Sequence, residues 1–247
     1  MRNGDRWIPS KYVYRNGRLV ATRDPNQLKP SSRLMADAIA ALYEKHLPTY
    51  ARGRLIDLGC GMVPLFATYR DYVSETICVD WASAGQKNDY LDYEWDLSKT
   101  LPFGDGRFDT VVLSDVLEHI PTPEALWAEM SRILKPGGIA FVNTPFFYWV
   151  HAEPHDYYRY TSFALTRFAN QSGFNVLVLE AIGGSPEVLA DLVAKHLIEI
   201  PLIGSAAAVA VQAVTRYMAN TKLGKKLSNK SSLKFPFGYF MIARKVY

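Results

Sequence analysis

The stretch that decides the fold is Leu55-Ile56-Asp57-Leu58-Gly59-Cys60-Gly61-Met62-Val63-Pro64. Its apolar start predicts a short buried strand, and Gly59 and Gly61 predict a turn in which a ligand can approach the backbone closely. The fixed φ angle of Pro64 suits the first turn of a helix. We therefore expect a strand, a glycine turn and a helix whose unpaired N–H groups face a ligand.

Strands and helices alternate on both sides of this stretch. A helix is predicted from about residue 33 to 46, with Ser31 or Ser32 as its N-cap and Pro48 as its end. Apolar runs predict strands at 54–58, 75–80, within 90–97, and at 108–113, 139–143, 174–180 and 238–246. Further helices are predicted at 123–134 and 161–172. The alternation indicates an α/β fold with a Rossmann-like, doubly wound, seven-stranded sheet, and an antiparallel strand at its edge.

The 247 residues form one domain with two additions in this interpretation. The length and the 49% hydrophobic content exclude a disordered or collagen-like chain. Residues 1–30 are polar and aromatic, and we expect an N-terminal cap there. Residues 182–236 separate the last two predicted strands and are too long to lack structure, so we expect a helical insertion that acts as a lid or an interface.

Charge is distributed unevenly along the chain. The formal net charge is +4, but no acidic residue follows Glu199. The basic residues after that point are Arg216, Lys222, Lys225, Lys226, Lys230, Lys234, Arg244 and Lys245. Apolar helical spacing followed by this basic tract, over 186–234, is typical of a helix on an anionic membrane surface. The alternatives are a lid or a homodimer interface with solvated lysines.

The compartment follows from the cysteines and the hydropathy pattern. Cys60 and Cys78 cannot build a disulfide framework, which favours a reducing environment. Residues 1–9 lack the apolar run of a signal peptide, and the longest uncharged apolar stretch, 200–214, is shorter than the roughly 20 residues of a membrane span. We expect a cytoplasmic protein, or one that is peripheral at the inner face of the membrane.

The chemistry of the glycine turn points to an adenosine-containing ligand. Asp80 follows Gly59 by about the 20 residues expected for a carboxylate that binds ribose hydroxyls. Pro64 stands where a dinucleotide-binding turn has a third glycine. Asp57 would repel a phosphate and attract an ammonium group. The ligand is therefore expected to be an adenosine compound with a cationic group rather than a dinucleotide.

Several segments together resemble the motifs of a known family. They are Asp57–Gly61, Leu101–Phe103, Phe108–Ile120 and Leu134–Gly138. In order and spacing, over about residues 50 to 180, they resemble class I S-adenosylmethionine-dependent methyltransferases, and most of all the type 11 small-molecule branch. One departure is Val63, where the family often has a third glycine.

The resemblance implies S-adenosylmethionine as the cofactor and S-adenosylhomocysteine as the product. It assigns Asp57, Gly59, Cys60 and Gly61 to the methionine moiety, Asp80 to the ribose, Trp81, Asp96 and Leu97 to the adenine, and Ser114 and Asp115 to the floor near the sulfonium. The alternative for Asp96 is a helix cap or a turn carboxylate.

The acceptor and the catalytic base are expected at residues 151–161, just after the fifth predicted strand. His155 beside Asp156 is the candidate general base, because a carboxylate can raise the basicity of an imidazole. His119 and His151 are further candidates. No metal is expected, since adjacent residues rarely bind one ion in good geometry.

Structural roles are the alternative for these residues. Arg159 can pair with Asp156, Thr161 can cap the next helix, and His119 can stabilise its own loop.

The resemblance favours methyl transfer to a hydroxyl of a small molecule, a sugar or a lipid-linked glycan. The alternatives are a quinone or polyketide methyltransferase and a non-catalytic S-adenosylmethionine-binding protein. Nucleic acid is not expected as a partner, because Asn143-Thr144-Pro145-Phe146 only faintly resembles the Asn-Pro-Pro-Tyr segment of base methyltransferases.

Overall fold

A mixed seven-stranded sheet forms the centre of the molecule in the computed structural model, which describes residues 1–81 and 88–247. The strands are β1 (Tyr12–Arg15), β2 (Arg18–Ala21), β3 (Arg54–Leu58), β4 (Glu75–Asp80), β5 (Tyr93–Glu94), β6 (Phe108–Ser114), β7 (Leu134–Pro145), β8 (Phe174–Ile182) and β9 (Gly238–Lys245). The central sheet has the order β5-β4-β3-β6-β7-β9-β8, and β1 and β2 pair separately. The predicted α/β, seven-stranded architecture is confirmed.

Helices cover both faces of this sheet. They are α1 (Arg33–Tyr50), α2 (Phe66–Tyr69), α3 (Pro123–Ile133), α4 (Ser162–Gln171), α5 (Ser185–Leu197), α6 (Gly204–Asn220) and α7 (Lys222–Ser231). Alternate residues of a strand point to opposite faces. In β6, Val111 therefore packs in the core under α3 and α4, while Val112 packs in the core under α1.

The last strand lies inside the sheet and not at its edge. β9 pairs antiparallel with β7 on one side and with β8 on the other. The edge position predicted from the sequence is therefore wrong. The physical reason is the long insertion between β8 and β9, which lets the chain return past β8 and enter the gap beside β7.

Several element boundaries also differ from the predictions. α1 continues past Pro48 to Tyr50, because a proline near a helix end removes only its own N–H bond, and Ala51 still donates to Leu47. β7 begins at Leu134, with an irregularity opposite the start of β6. The helix after the glycine turn is a single short turn that begins at Phe66, two residues beyond Pro64.

The N-terminal cap is built around a β-hairpin that the sequence reading did not identify. Asn16 and Gly17 both have positive φ angles, 52° and 72°, as a two-residue hairpin turn requires. The hairpin is anchored to α1 because Asp37 and Glu44 accept hydrogen bonds from the backbone N–H groups of Ala21 and Leu19. This anchoring places the start of β1 over the carboxyl ends of the central strands.

Residues 182–236 form helices α5, α6 and α7, which matches the expected helical insertion. α6 is tied to the N-terminus of α1, since the Gln212 side chain donates to the Ser31 carbonyl and accepts from the Leu34 N–H. Thr221 caps α7 by accepting from the N–H of Gly224. Over the described residues, no helix is long and apolar enough to cross a bilayer.

Candidate active site

A cavity of about 390 Å³ lies at the carboxyl ends of the central strands. Its lining includes Gly59, Asp80, Trp81, Asp96, Leu97 and Asp115. A second cavity of about 300 Å³ adjoins it and is lined by Asp57, Gly59, Cys60, Gly61, Ser114 and Asp115, among others. The structure thus brings all the residues predicted for the cofactor around two adjoining cavities, and their contact with a ligand stays a prediction.

The glycine turn is fixed by its own geometry and by β4. Gly59 has a φ angle of +71°, and a Cβ atom there would lie 2.4 Å from Cγ2 of Val116. Its N–H group donates to the carbonyl of Val79 at 2.7 Å. Glycine is therefore required at this position, and the backbone stays open towards the cavity.

Asp80 links the turn to the end of β4. One carboxylate oxygen accepts from the N–H of Gly61 at 2.7 Å, and the other accepts from the N–H of Trp81 at 2.8 Å. Each oxygen keeps a further lone pair. The side chain is thus held in place with acceptors available for a pair of vicinal hydroxyls, as in a ribose.

Asp57 supplies a buried carboxylate to the smaller cavity. It is 3% exposed, and the hydroxyl of Tyr69 donates to it at 2.9 Å. Burial raises the pKa of Asp57 to about 7, and the hydrogen bond from Tyr69 opposes this rise only in part. A cationic group of a ligand would favour the ionised form.

Asp96 takes part in a turn and also lines a cavity, and its contact with the adenine stays a prediction. Its carboxylate accepts from both the N–H and the hydroxyl of Ser98, which is a turn interaction and lowers its pKa. The same residue and its neighbour Leu97 line the larger cavity.

Asp115 stands at the junction of the cavities. Its φ angle is 54°, and its carboxylate accepts from Asn143 Nδ2 at 2.6 Å and from Lys11 Nζ at 2.9 Å. The hydroxyl of Tyr43 in turn donates to Asn143. Sequence reasoning missed Lys11, because no local pattern shows that the hairpin carries it to a residue so far along the chain.

A third cavity, of about 250 Å³, opens on the other side of Asp115. Its walls are largely apolar and are lined by Leu28, Met35, Ala36, Ile39, Pro145 and Phe237. Its polar end is lined by Lys11, Asp115, Glu118, His119 and His151. Asp115 and His119 line both this cavity and the larger cofactor cavity.

The expected pairing of His155 with Asp156 is replaced by a different arrangement. Asp156 forms a two-point ion pair with Arg159, at 2.6 and 2.8 Å, and accepts from the N–H of His151. The guanidinium of Arg159 holds the pKa of Asp156 well below its usual range, although partial burial opposes this. Asp156 is therefore paired with Arg159 and with the His151 N–H, and not with the adjacent His155.

His155 itself lines the larger cavity and not the third cavity. Its ring packs edge-on against Trp81, with centroids 4.8 Å apart, and its Nδ1 lies 3.2 Å from the hydroxyl of Tyr157. The structural alternative for Arg159 is confirmed by its ion pair, and that for Thr161 is confirmed by its side chain, which caps α4.

His119 and His151 come together instead, although 32 positions separate their numbers in the chain. Their ring centroids are 4.8 Å apart, and each Nε2 lies 3.8 Å from Oε1 of Glu118. Glu118 is fully buried, and burial, with the nearby Asp115, raises its pKa well above the usual value. Burial, together with the neighbouring His119, lowers the pKa of His151, so this imidazole is neutral near pH 7.

Residues 56–142 match the family model of the methyltransferase domain, and these residues carry β3, the glycine turn, β4 and β6. Residues 56–142 therefore carry a methyltransferase domain. The match supports the family resemblance found in the sequence, and that resemblance implies S-adenosylmethionine as the methyl donor. The methyltransferase domain places its glycine turn and Asp80 where the larger cavity lies.

Two relatives are named ubiquinone biosynthesis O-methyltransferase. The protein of Brucella anthropi is 27% identical over 147 residues, which cover 55% of this chain and 52% of the relative. That of Xanthomonas euvesicatoria is 34% identical over 107 residues, which cover 38% and 44% of the two chains. The chain thus spans about half the length of these curated relatives or less.

Solved structures share the fold of the methyltransferase domain at low sequence identity. An S-adenosylmethionine-dependent methyltransferase from Mesorhizobium loti has a TM-score of 0.54 at 17% identity, with 86% of this chain and 100% of that chain covered. The cyclase SpnF has a TM-score of 0.55 at 21% identity, with 97% and 87% covered. Since one neighbour is named a cyclase, the fold alone does not decide the reaction.

Proposed function

We propose that this protein transfers the methyl group of S-adenosylmethionine to a hydroxyl group of an amphiphilic small molecule. The observation that carries the proposal is the junction at Asp115 and His119, where the cofactor cavities meet the third cavity. Methyl transfer needs the acceptor oxygen in line with the reactive methyl group. Two cavities that share one wall support such an arrangement.

The acceptor class follows from the third cavity. Its apolar walls suit a hydrophobic ring or chain, while its end with Glu118, His119 and His151 suits a hydroxyl. The names of the relatives add support for a phenolic, quinol-type acceptor. We therefore place a quinol-type molecule ahead of the lipid-linked sugar that the sequence favoured.

A sugar acceptor keeps one specific observation in its favour. Trp149 and Tyr158 are partly exposed on the loop after β7, and exposed aromatic rings can stack on sugar rings. Neither residue lines the third cavity, however. A lipid-linked sugar is accordingly the second candidate.

His119 is the base that the geometry favours. Its Nδ1 lies 2.6 Å from the carbonyl of His155, which can only accept, so Nδ1 carries the proton and Nε2 keeps a lone pair. Because His119 lines both the cofactor cavity and the third cavity, this lone pair is available near the shared wall. Removal of the acceptor's proton there would generate the oxygen nucleophile.

The experiment combines cofactor binding with an acceptor screen. Calorimetry with S-adenosylmethionine and S-adenosylhomocysteine is expected to show binding that Asp80→Ala weakens at least tenfold, whereas Asp71→Asn, which changes an exposed carboxylate, leaves it unchanged. Mass spectrometry then scores methylated products from catechols, quinols and lipid-linked sugars.

The possible results separate the hypotheses. A product from a quinol but not from a sugar supports the proposal, and the reverse result selects the second candidate. Cofactor binding without any product across both classes would favour a non-catalytic binding protein. Absence of binding to either cofactor form would overturn the proposal.

A further inference from the structure

The cluster of Glu118, His119 and His151 has the donor atoms of a metal site. One ligand atom from each residue lies within 4.8 Å of the others, and both histidine Nε2 atoms lie 3.8 Å from Oε1 of Glu118. Donor atoms around one transition-metal ion are roughly 3.0 to 3.4 Å apart at metal–ligand distances of about 2.1 Å. Small rotations of the side chains would therefore bring the three atoms around one ion.

Glu118 is the member that most needs a partner. It is fully buried, and within the part of the chain that the structure describes neither carboxylate oxygen has a hydrogen-bond partner. A buried carboxylate without partners is costly, and pairing with a cation removes that cost. The side chain faces the two imidazoles at the polar end of the third cavity.

Both histidines are already oriented as metal ligands are. The Nδ1 of His119 donates to the carbonyl of His155, and the Nδ1 of His151 lies 3.3 Å from Oδ2 of Asp156. Outer partners of this kind fix the tautomer that carries its free lone pair on Nε2. Asp156 is in turn held by Arg159, so the orientation of His151 has a rigid support.

We propose that Glu118, His119 and His151 bind one divalent transition-metal ion at the polar end of the third cavity. Two imidazoles and one carboxylate suit zinc, manganese, iron or cobalt better than magnesium, which prefers oxygen ligands. This reverses the expectation of no metal. The expectation of no metal considered only residues adjacent in the sequence, whereas His151 joins the cluster through the tertiary structure.

Such an ion would also have a role in the proposed function. Three protein ligands leave coordination positions open, and all three ligands line the cavity proposed for the acceptor. A bound ion would occupy the Nε2 lone pair of His119, so His119 could not act as the base in the metal-bound protein. The ion would activate the acceptor instead, by holding its oxygen and lowering the pKa of its hydroxyl group. This part of the inference rests on the proposed function, while the metal site does not.

The test is a Co²⁺ titration of the full chain without cofactor or acceptor. We expect visible absorption bands that saturate at one equivalent, and displacement of Co²⁺ by Zn²⁺ with loss of colour. Glu118→Gln and His151→Ala should weaken binding at least tenfold. His196→Asn, which changes an exposed histidine on α5, should bind as the parent does.

Thermal unfolding of each variant without metal checks the fold. Glu118→Gln should be as stable as the parent, because it removes a buried carboxylate that has no partner. Absence of saturable Co²⁺ bands in the parent protein would overturn the site, as would bands that survive in both folded variants. Because the titration contains no methyl donor or acceptor, it fails or succeeds independently of the methyl-transfer assay.

Discussion

Gly59 is the residue at which the local backbone and the cofactor cavity constrain each other most closely. Replacement by alanine would place a Cβ atom 2.4 Å from Val116 at a φ angle of +71°. We expect Gly59→Ala to lower the free energy of unfolding by about 2 kcal/mol and to weaken S-adenosylmethionine binding at least tenfold. Urea denaturation and calorimetry measure the two effects.

Gly104→Ala is the matched control for this substitution. A Cβ atom at Gly104 would meet no atom within 4 Å, so both quantities should stay close to those of the parent. Parental cofactor affinity in Gly59→Ala would show that the turn does not contact the ligand.

Asp57 should couple stability to pH. Burial raises its folded-state pKa to about 7, whereas the unfolded value is about 3.9. Between about pH 4 and 7, Asp57 is protonated in the folded chain and ionised in the unfolded chain. Its contribution to the free energy of unfolding is therefore fully present below about pH 4 and is lost as the pH rises through 7. Asp57→Asn should remove this loss and exceed the parent's stability at pH 8 by on the order of 2 kcal/mol.

The measurement is the difference in unfolding free energy between parent and variant from pH 4 to 8. The contributions of the other titrating groups are the same in both proteins and cancel in that difference. Calorimetry on the same variant should show weaker binding of S-adenosylmethionine, since the ionised carboxylate attracts the ligand's ammonium group. A pH-independent difference would contradict the assignment of the raised pKa to Asp57.

At the scale of elements, α5 contacts the loop after β7 through Lys195, which is the cation of a buried ion pair within the helix. Lys195 and Asp191 are 3% and 1% exposed, and Nζ of Lys195 lies 3.6 Å from the ring centroid of Tyr148, a residue that lines the third cavity. Burial lowers the pKa of Lys195 and raises that of Asp191, and their mutual attraction opposes both shifts. The helical insertion therefore contacts the lining of the third cavity through Lys195.

Lys195→Met should destabilise the protein by about 3 kcal/mol, because it leaves Asp191 buried without its partner. The double variant Asp191→Leu with Lys195→Met should recover most of that loss, since apolar residues of similar size often replace a buried pair at little cost. Urea denaturation of the parent, both single variants and the double variant gives the coupling energy. Additive effects would show that the two residues do not act as a pair.

At the scale of the whole molecule, the insertion exposes both apolar and basic side chains. Leu202, Leu223 and Leu233 are strongly exposed. The exposed lysines of α7 are Lys222, Lys225, Lys226 and Lys230. We propose that this surface docks on an anionic membrane, because apolar and cationic groups complement such a lipid layer.

Changing all four α7 lysines to glutamine should weaken binding to vesicles that contain phosphatidylglycerol by on the order of a hundredfold at low salt. Helix propensity is nearly preserved by this change. Flotation with anionic and with neutral phosphatidylcholine vesicles measures the effect, and Lys99→Gln, far from the insertion in the sequence, serves as the control. Equal binding to both vesicle types would contradict membrane docking, and a dimer in solution that buries these leucines would replace it.

The cofactor side of the site could be predicted from sequence because its residues follow strand ends. Asp57 and Asp80 lie near the carboxyl ends of short apolar strands and Gly59 directly follows one, and parallel strands bring these ends to one edge. The local sequence pattern is therefore sufficient to predict these cofactor residues. The acceptor side follows no such rule, since the loop after β7 folds on itself and pairs Asp156 with Arg159.

The sequence by itself determined the α/β class, the glycine turn and the cofactor edge of the sheet, because these depend on short-range periodicity and on spacing. The tertiary structure decided that β9 lies between β7 and β8, that Lys11 reaches Asp115, and that His151 joins Glu118 and His119. These contacts join residues far apart in the chain. They depend on how the hairpin, the loop and the insertion pack on the sheet, and no local pattern in the sequence records that packing.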